Sequence, residues 1–295
     1  MSRLSDTKIL MAIKDLPLAA KTTVDGFMAG LHNSSVKGTG MEFSQYRSYQ
    51  LGDDLRRLDW KMFARSDRYY IRESEIETSI SVKFLIDASA SMMHEDGGFT
   101  KIEYARYLAA SLAYLANLQG DATGLYIFEN GELFSLPSRQ DPQHLSRIFY
   151  QLEQIKPGGK FTEPIGYKEI FSGSNKKELL IFITDYYEEK GELTKLLSDL
   201  SSNKHEIIVF HLMGKNELEL DYKGYAALED LETGATIKIN AEQDKKSYQQ
   251  KLQAYFSQIK SQLLNKHIFY ELMVMNEPID KALIDFLKHR NKPVY

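Results

Sequence analysis

The chain has 295 residues, of which 43% are hydrophobic and 26% charged, with a formal net charge of −4 and no cysteine. This length can bury a large core in one or two domains. The lack of cysteine excludes disulfides, Cys-ligated zinc, iron–sulfur clusters and cysteine nucleophiles. The negative net charge argues against a general nucleic-acid-binding protein.

Targeting signals and membrane spans are not expected. Charged residues interrupt the first thirty positions, so no apolar signal-peptide core is present there. Apolar runs such as 179–183 are far shorter than the ~20 residues that a bilayer requires. We therefore expect a cytoplasmic protein that reaches a membrane only through a partner.

Residues 1–79 are predicted to form an N-terminal accessory region with helical and β elements. A helix is expected over residues 5–31, kinked or split by Pro17. Residues 41–73 carry seven Lys/Arg and six Asp/Glu among aromatic residues. This near-neutral balance favours an internal network of arginine–carboxylate pairs, with a protein-binding surface as the alternative. Residues 69–80 alternate in polarity, which predicts an edge strand that leads to the central one.

Residues 80–295 alternate strands and helices at βαβ spacing. This pattern predicts an α/β domain with a doubly wound, mainly parallel sheet. The predicted strands are 82–86, 122–129, 132–136, 179–184, 205–212, 235–239 and 269–275. The predicted helices are 101–118, 141–154, 165–171, 193–200, 247–264 and 279–289. Thr100 with Glu103 is a capping-box pattern, and Asn130-Gly131 is a two-residue hairpin signal.

Polar residues follow two of the buried strands and open one of the helices. The pattern Asp87-x-Ser89-x-Ser91 follows the first strand, Asp185 follows a later strand, and Thr162 lies on a glycine-containing loop. In a doubly wound sheet such loops can meet at the switch point of the strand order. Their oxygens suit Mg²⁺, with Mn²⁺ or Ca²⁺ as alternatives. Because the set has few negative charges, a bound ion could accept a carboxylate from a partner.

Catalytic motifs are lacking. Ser89 has no flanking elbow glycines, and the chain contains neither a phosphate-binding loop nor a GxGxxG motif. A metal-dependent phosphatase could use Asp87 as nucleophile, but the position two residues on is Ser89 rather than a second aspartate. The sequence therefore favours a binding protein over an enzyme.

The five polar residues resemble the metal-ion-dependent adhesion site of von Willebrand factor A domains. A second set of residues resembles an uncharacterised bacterial family whose members are typically encoded beside MoxR-type AAA+ ATPases. That set is Gly38-Thr39-Gly40-Met41-Glu42-Phe43, Arg47, Tyr49, Gly52-Asp53-Asp54, Arg56, Asp59-Trp60-Lys61 and Ala64-Arg65. The resemblance covers the chain from about residue 15 to its end.

This resemblance implies a metal-dependent protein-interaction module, an adaptor of a MoxR-type ATPase or a binder of a client protein. It implies that Ser89, Ser91 and Thr162 ligate the ion directly, and that Asp87 and Asp185 act partly through water. Thr162 departs from the pattern, because many A domains place glycine closer to the threonine. Two alternatives stay open: a metal-dependent hydrolase using Asp87, and an interaction protein that works through the arginine-rich segment 56–65 with a purely structural metal site.

Overall fold

The structure, a computed structural model, describes residues 7–33, 45–49, 60–66, 68–73, 79–164, 166–172, 178–188, 190–201, 205–222 and 224–290. The chain forms two compact units. The larger unit consists of Met1–Ser34 and Ser79–Tyr295, and the smaller one is Ser35–Thr78.

The described part of the chain contains α-helices and β-strands with the following bounds. The helices are α1 (Thr7–Met11), α2 (Leu16–Asn33), α3 (Trp60–Ser66), α4 (Lys101–Leu118), α5 (Pro142–Gln154), α6 (Tyr167–Ser172), α7 (Glu192–Ser201), α8 (Lys215–Glu219), α9 (Ala241–Leu264) and α10 (Asp280–Arg290). The strands are β1 (Gln45–Ser48), β2 (Tyr70–Glu73), β3 (Ser81–Asp87), β4 (Glu95–Asp96), β5 (Phe99–Thr100), β6 (Ala122–Glu129), β7 (Glu132–Arg139), β8 (Glu178–Thr184), β9 (Glu206–Met213), β10 (Tyr225–Glu229), β11 (Thr236–Asn240) and β12 (Phe269–Val274).

The larger unit is built on a six-stranded sheet in the order β12-β9-β8-β3-β6-β7. All neighbouring strands are parallel except β7, which returns antiparallel to β6 at the edge. Every residue of β8 is buried, as expected for a central strand covered on both faces. Apolar clusters lie on both faces of the sheet. The predicted α/β, mainly parallel fold class is confirmed.

Two local sequence signals form the structures that they predict. Thr100 caps α4 by accepting a hydrogen bond from the Glu103 N–H, and the Glu103 carboxylate accepts one from the Thr100 N–H. Asn130 and Gly131 both have positive φ, 50° and 78°, and connect β6 to β7. These angles are those of a tight hairpin turn between antiparallel strands.

The first two helices belong to the larger unit. Leu16, Ala19, Ala20 and Val24 are almost completely buried in the apolar cluster that also contains the inner face of α4. The predicted N-terminal region 1–79 is therefore not one unit. Its helices α1 and α2 pack on the α/β core, and only Ser35–Thr78 forms the smaller unit. Among the described residues, no helix has both the length and the apolar character that a bilayer span needs.

The smaller unit contains β1, β2 and α3. Strand β2 pairs antiparallel with β1 in a two-stranded sheet, with Tyr70 opposite Ser48. Of the predicted edge strand 69–80, which was expected to lead to the central strand, the described part is β2, and it pairs with β1 in a separate two-stranded sheet. Residues 74–78 of that range lie outside the described residues. The rings of Phe63 and Tyr69 stack with centroids 4.5 Å apart. The glycine-rich start of the resemblance motif and residues 53–59 lie outside the described residues.

Candidate metal centre

The strand order brings the predicted site together at the carboxyl end of the sheet. The chain passes from β3 to β6 on one side, and β8 later pairs with β3 on the other side. This reversal leaves a crevice between the ends of β3 and β8, where ligands bind in open α/β sheets. Asp87 is the last residue of β3, and Asp185 directly follows β8.

Asp87 is completely buried, and both of its carboxylate oxygens accept hydrogen bonds. Oδ1 accepts from the Ser89 N–H at 2.9 Å, and Oδ2 accepts from the Thr184 hydroxyl at 2.6 Å. Burial, followed by the charge of Asp185, raises the pKa of Asp87 to about 6. These conditions disfavour the negative charge unless a positive charge lies nearby. Thr184 was missed by the sequence reasoning, although it directly precedes Asp185.

The two serines link the Asp87 loop to Asp185. The Ser89 and Ser91 hydroxyl oxygens are 3.0 Å apart, and Ser91 donates a hydrogen bond of 3.0 Å to Asp185 Oδ1. A serine oxygen that donates its proton to a carboxylate keeps its lone pairs available for a cation. Four of the five predicted residues, Asp87, Ser89, Ser91 and Asp185, are therefore within one connected polar cluster.

Two glycines fix the neighbouring loop against the Asp87 loop. Gly158 N–H donates to the carbonyl of Ala88, and Ala90 N–H donates to the carbonyl of Gly159, each at 2.9 Å. A Cβ on Gly159 would lie 2.0 Å from Asn130 Oδ1, so the loop can approach the β6–β7 turn only with glycine here. The loop that carries Thr162 is thus held beside the Asp87 loop by main-chain bonds.

Thr162 lies at the edge of this arrangement. It is exposed, and a Cβ on Gly131 would lie 2.8 Å from its hydroxyl oxygen. It lines a surface cavity of about 290 Å³ together with Tyr187 and Glu232. Among the described contacts, no hydrogen bond joins Thr162 to the aspartates or serines of the cluster.

Lys101 is a cation inside the cluster that the sequence reasoning missed. Its side chain is 3% exposed, and Nζ donates to Asp185 Oδ2 at 3.1 Å and to Glu217 Oε1 at 2.8 Å. Burial lowers the pKa of Lys101, but the charges of Asp185 and Glu217 outweigh it, so the pKa lies above its ordinary value. A lysine in the first turn of a helix opposes the helix dipole, and this was the available signal.

Glu232 is a third carboxylate close enough to Asp185 and Asp87 to be affected by their charges. Burial and the charges of Asp185 and Asp87 raise its pKa to about 7, while hydrogen bonding toward the Ser91 and Ser89 hydroxyls acts in the opposite direction. Its Oε1 atom is buried and has no hydrogen-bond partner. No sequence signal indicated this residue, because it lies in the turn between β10 and β11, and β10 was not predicted.

The donor set fits a hard cation. The described residues hold no ready-made group of three or more His, Cys, Asp or Glu side chains around one point, so an ion would depend on hydroxyl oxygens as well. Hydroxyl and carboxylate oxygens are ligands that Mg²⁺ and Ca²⁺ accept. The buried Oε1 of Glu232 and the buried carboxylate of Asp87 are groups that such a charge would stabilise.

Known proteins similar to this chain come from sequence and from structure comparison. The uncharacterised protein Rv1480 of Mycobacterium tuberculosis is 24% identical over 234 residues, which cover 78% of this chain and 73% of that protein. The conserved hypothetical protein BatB of Bacteroides thetaiotaomicron is 18% identical, with 73% of this chain and 100% of that chain covered and a TM-score of 0.48. The SpRpn10 VWA domain is 11% identical, with 74% and 100% covered and a TM-score of 0.42.

The family comparison gives a direct assignment. Residues 45–256 match the family described as "Protein of unknown function DUF58". The matched range contains the Asp87 loop, Thr162, Asp185 and the β10–β11 turn, together with β1, α3 and β2 of the smaller unit. It spans more than half of the chain, and the chain therefore belongs to this family.

Proposed function

We propose that this protein is a metal-dependent protein-interaction module. In this proposal Asp87, Ser89, Ser91, Thr162 and Asp185 hold Mg²⁺, for which Mn²⁺ or Ca²⁺ could substitute, and the ion binds a carboxylate of a partner protein. The observation that carries the proposal is the connected chain from Ser89 through Ser91 to Asp185 at the end of β8. This chain joins the oxygens of two loops that are 94 residues apart in sequence.

Each residue has a distinct part in the proposal. Ser91 directs its proton to Asp185 and presents its oxygen to the site. Asp87 orients the loop through the Ser89 N–H, and Thr184 in turn orients Asp87. Lys101 neutralises Asp185 Oδ2, so the carboxylates do not saturate the ion with negative charge. A partner carboxylate would then be attracted rather than repelled.

A binding role is supported over hydrolysis by the burial of Asp87. A carboxylate nucleophile needs an open path to the reacting atom, whereas Asp87 is 0% exposed and uses both oxygens for hydrogen bonds. Its neighbour two positions on, Ser89, cannot serve as the acid that a phosphatase of this type requires.

The partner we propose is a MoxR-type AAA+ ATPase, for which the chain would be an adaptor in chaperone-like assembly in the cytoplasm. This choice rests on the resemblance of the Gly38–Arg65 motif set and the Asp87 loop to the family encoded beside such ATPases. A client protein that offers a carboxylate is the second form of the same proposal.

The first experiment measures capture of the purified MoxR-type ATPase of the same organism by the immobilised protein in Mg²⁺. We expect wild type to retain the ATPase, and EDTA or Asp87→Ala to abolish retention, because the ion would bridge the two proteins. Asp25→Ala is the control, since Asp25 is an exposed carboxylate on α2. Mn²⁺ binding by the free protein, followed by electron paramagnetic resonance, gives an independent readout.

Equal retention by wild type, by Asp87→Ala and in EDTA would refute metal-mediated capture. The alternative interface lies in the smaller unit, where Arg65 and Arg68 are exposed. Loss of retention in Arg68→Glu together with full retention in Asp87→Ala would locate the interface there.

A further inference from the structure

The turn between β10 and β11 has a defined conformation that presents Glu232. Asp230 Oδ1 accepts the Glu232 N–H at 2.9 Å, and Asp230 Oδ2 accepts the Thr233 hydroxyl at 2.6 Å. The Asp230 N–H donates to the carbonyl of Ala235 at 2.8 Å and closes the turn. Glu232 is therefore held by an aspartate-capped turn and is not a freely moving surface side chain.

The same loop that positions Asp185 also holds this turn. Tyr187 donates its hydroxyl proton to Asp230 Oδ2 at 2.8 Å. Between the two, Tyr186 has φ 54°, an unusual conformation for a bulky residue. It is stabilised by the bond from its N–H to Thr184 and by the bond from the Tyr255 hydroxyl to its carbonyl. The turn is thus connected to the site through Tyr186, whose unfavourable backbone conformation is held by these hydrogen bonds.

Glu232 lies near both the site and the surface cavity. Its side chain lines the cavity together with Thr162 and Tyr187. Burial, the charges of Asp185 and Asp87, and the Ser91 and Ser89 hydroxyls all act on its pKa. Its Oε1 is buried without a hydrogen-bond donor. A buried carboxylate oxygen without a partner is unfavourable unless a cation or another donor satisfies it. The oxygen is therefore available to a cation bound beside it.

We propose that Glu232 is the chain's own carboxylate ligand at this site and occupies the position that a partner carboxylate takes on binding. This inference rests on the proposed function and adds its regulation: the partner binds only when the β10–β11 turn withdraws. Among the described strands, β10 and β11 pair only with each other. Tyr225 and Ile237 of this hairpin are 86% and 65% exposed. A two-stranded hairpin without a further strand partner can move as a unit, with its turn kept closed by Asp230, once the bond from Tyr187 to Asp230 breaks.

The test uses Mn²⁺ as the probe and electron paramagnetic resonance as the readout, with the full chain. Glu232→Ala should lower Mn²⁺ affinity at least about tenfold, because one oxygen ligand is lost. Added acetate should restore the affinity, since it can fill the space that the side chain leaves. Sodium chloride at equal ionic strength is the salt control. Glu229→Ala, at an exposed carboxylate of the same hairpin, should behave like wild type with and without acetate.

A second variant distinguishes the loss of the Glu232 negative charge from the loss of its side-chain volume. Glu232→Gln keeps the shape of the side chain, so it should lose affinity as Glu232→Ala does but should not respond to acetate. Circular dichroism of each variant confirms that the fold is retained.

The outcomes distinguish this inference from the proposed function. If wild type binds Mn²⁺, Asp87→Ala does not, and Glu232→Ala binds as tightly as wild type, Glu232 is not a ligand and only this inference fails. Reduced affinity in Glu232→Ala without rescue by acetate also overturns it, because the carboxylate position would then not be replaceable. If wild type itself does not bind Mn²⁺, the proposed function and the inference both fail.

Discussion

Among single residues, Asp87 is a carboxylate whose ionised form is disfavoured by burial. Asp87 is fully buried, and neither of its hydrogen-bond donors, the Ser89 N–H and the Thr184 hydroxyl, carries a positive charge. The cation nearby, Lys101, pairs with Asp185 and Glu217 instead. Without a positive charge beside it, the ionised form of Asp87 lowers the stability of the folded protein. The proposed function accounts for Asp87, because a bound metal ion would supply the missing positive charge.

The variant Asp87→Asn should therefore stabilise the metal-free protein. The folded-state pKa of Asp87 is about 6, above the ordinary 3.8, so the folded state retains a proton that the unfolded state has lost between these two values. The Asp87 contribution to the free energy of unfolding falls as pH rises through this window and stays low above it. We expect Asp87→Asn to raise the free energy of unfolding in EDTA at pH 8 by about 1 to 3 kcal/mol, measured by urea denaturation.

The same titration in Mg²⁺ provides the contrast. Wild type should gain stability with ligand concentration, whereas the variant should not. An Asp87→Asn protein that is less stable than wild type in EDTA would show that the carboxylate serves the fold and not a cation.

At the scale of elements, two turns fit against each other to place Thr162. The β6–β7 turn brings Gly131 against the Thr162 hydroxyl, and Asn130 of the same turn lies against Gly159. Both contacts need glycine, because an added Cβ would overlap an oxygen atom. The position of the fifth predicted ligand thus depends on a hairpin that carries no ligand itself.

Gly131→Ala tests this dependence, with Gly120→Ala as the matched control. Both glycines have left-handed backbones, with φ 78° and 72°, so each substitution should cost about 1 to 2 kcal/mol of stability. A Cβ at Gly120 would lie 3.6 Å from the Gln140 side chain, which is an ordinary van der Waals contact. Neither Gly120 nor Gln140 is one of the site residues. We expect only Gly131→Ala to weaken Mn²⁺ binding. Equal Mn²⁺ affinities in the two variants would remove Thr162 from the site.

At the scale of the whole molecule, the N-terminal helices complete the larger unit. Helices α1 and α2 contribute Leu10, Leu16 and Phe27 to the apolar cluster that covers one face of the central sheet. Helix α4 contributes to the same cluster and carries Lys101 at its first position, beside the site. Helices α1 and α2 therefore support the helix that carries the lysine.

Leu16→Ala and Leu18→Ala form a matched pair for this conclusion. Leu16 is 3% exposed and Leu18 is 54% exposed, although both lie in the first turn of α2. We expect Leu16→Ala to lower the free energy of unfolding by about 2 to 4 kcal/mol, and Leu18→Ala by less than about 0.5 kcal/mol. Urea denaturation followed by circular dichroism measures both. Similar values for the two variants would mean that α2 does not pack on the core.

Elements with local signals could be predicted from the sequence alone. The Thr100–Glu103 capping box, the Asn130-Gly131 turn and the buried runs of β3 and β8 each depend on neighbours a few residues away. Parallel topology then required the ends of β3 and β8 to meet, which was enough to bring Asp87 and Asp185 together. The pairing of β2 with β1 was not predicted, because a strand's partner is chosen by long-range hydrogen bonding and not by its own alternation.

The electrostatics of the site could not be predicted, because they depend on contacts between residues far apart in the chain. Lys101 lies 84 residues from Asp185 and 116 residues from Glu217 along the chain, and no local pattern relates them. Glu232 lies in the turn between β10 and β11, and the first strand of this hairpin was not predicted. Charge interactions act through space with a strength set by distance and burial. Sequence spacing encodes neither, so Lys101 and Glu232 could be assigned to this region only from the fold.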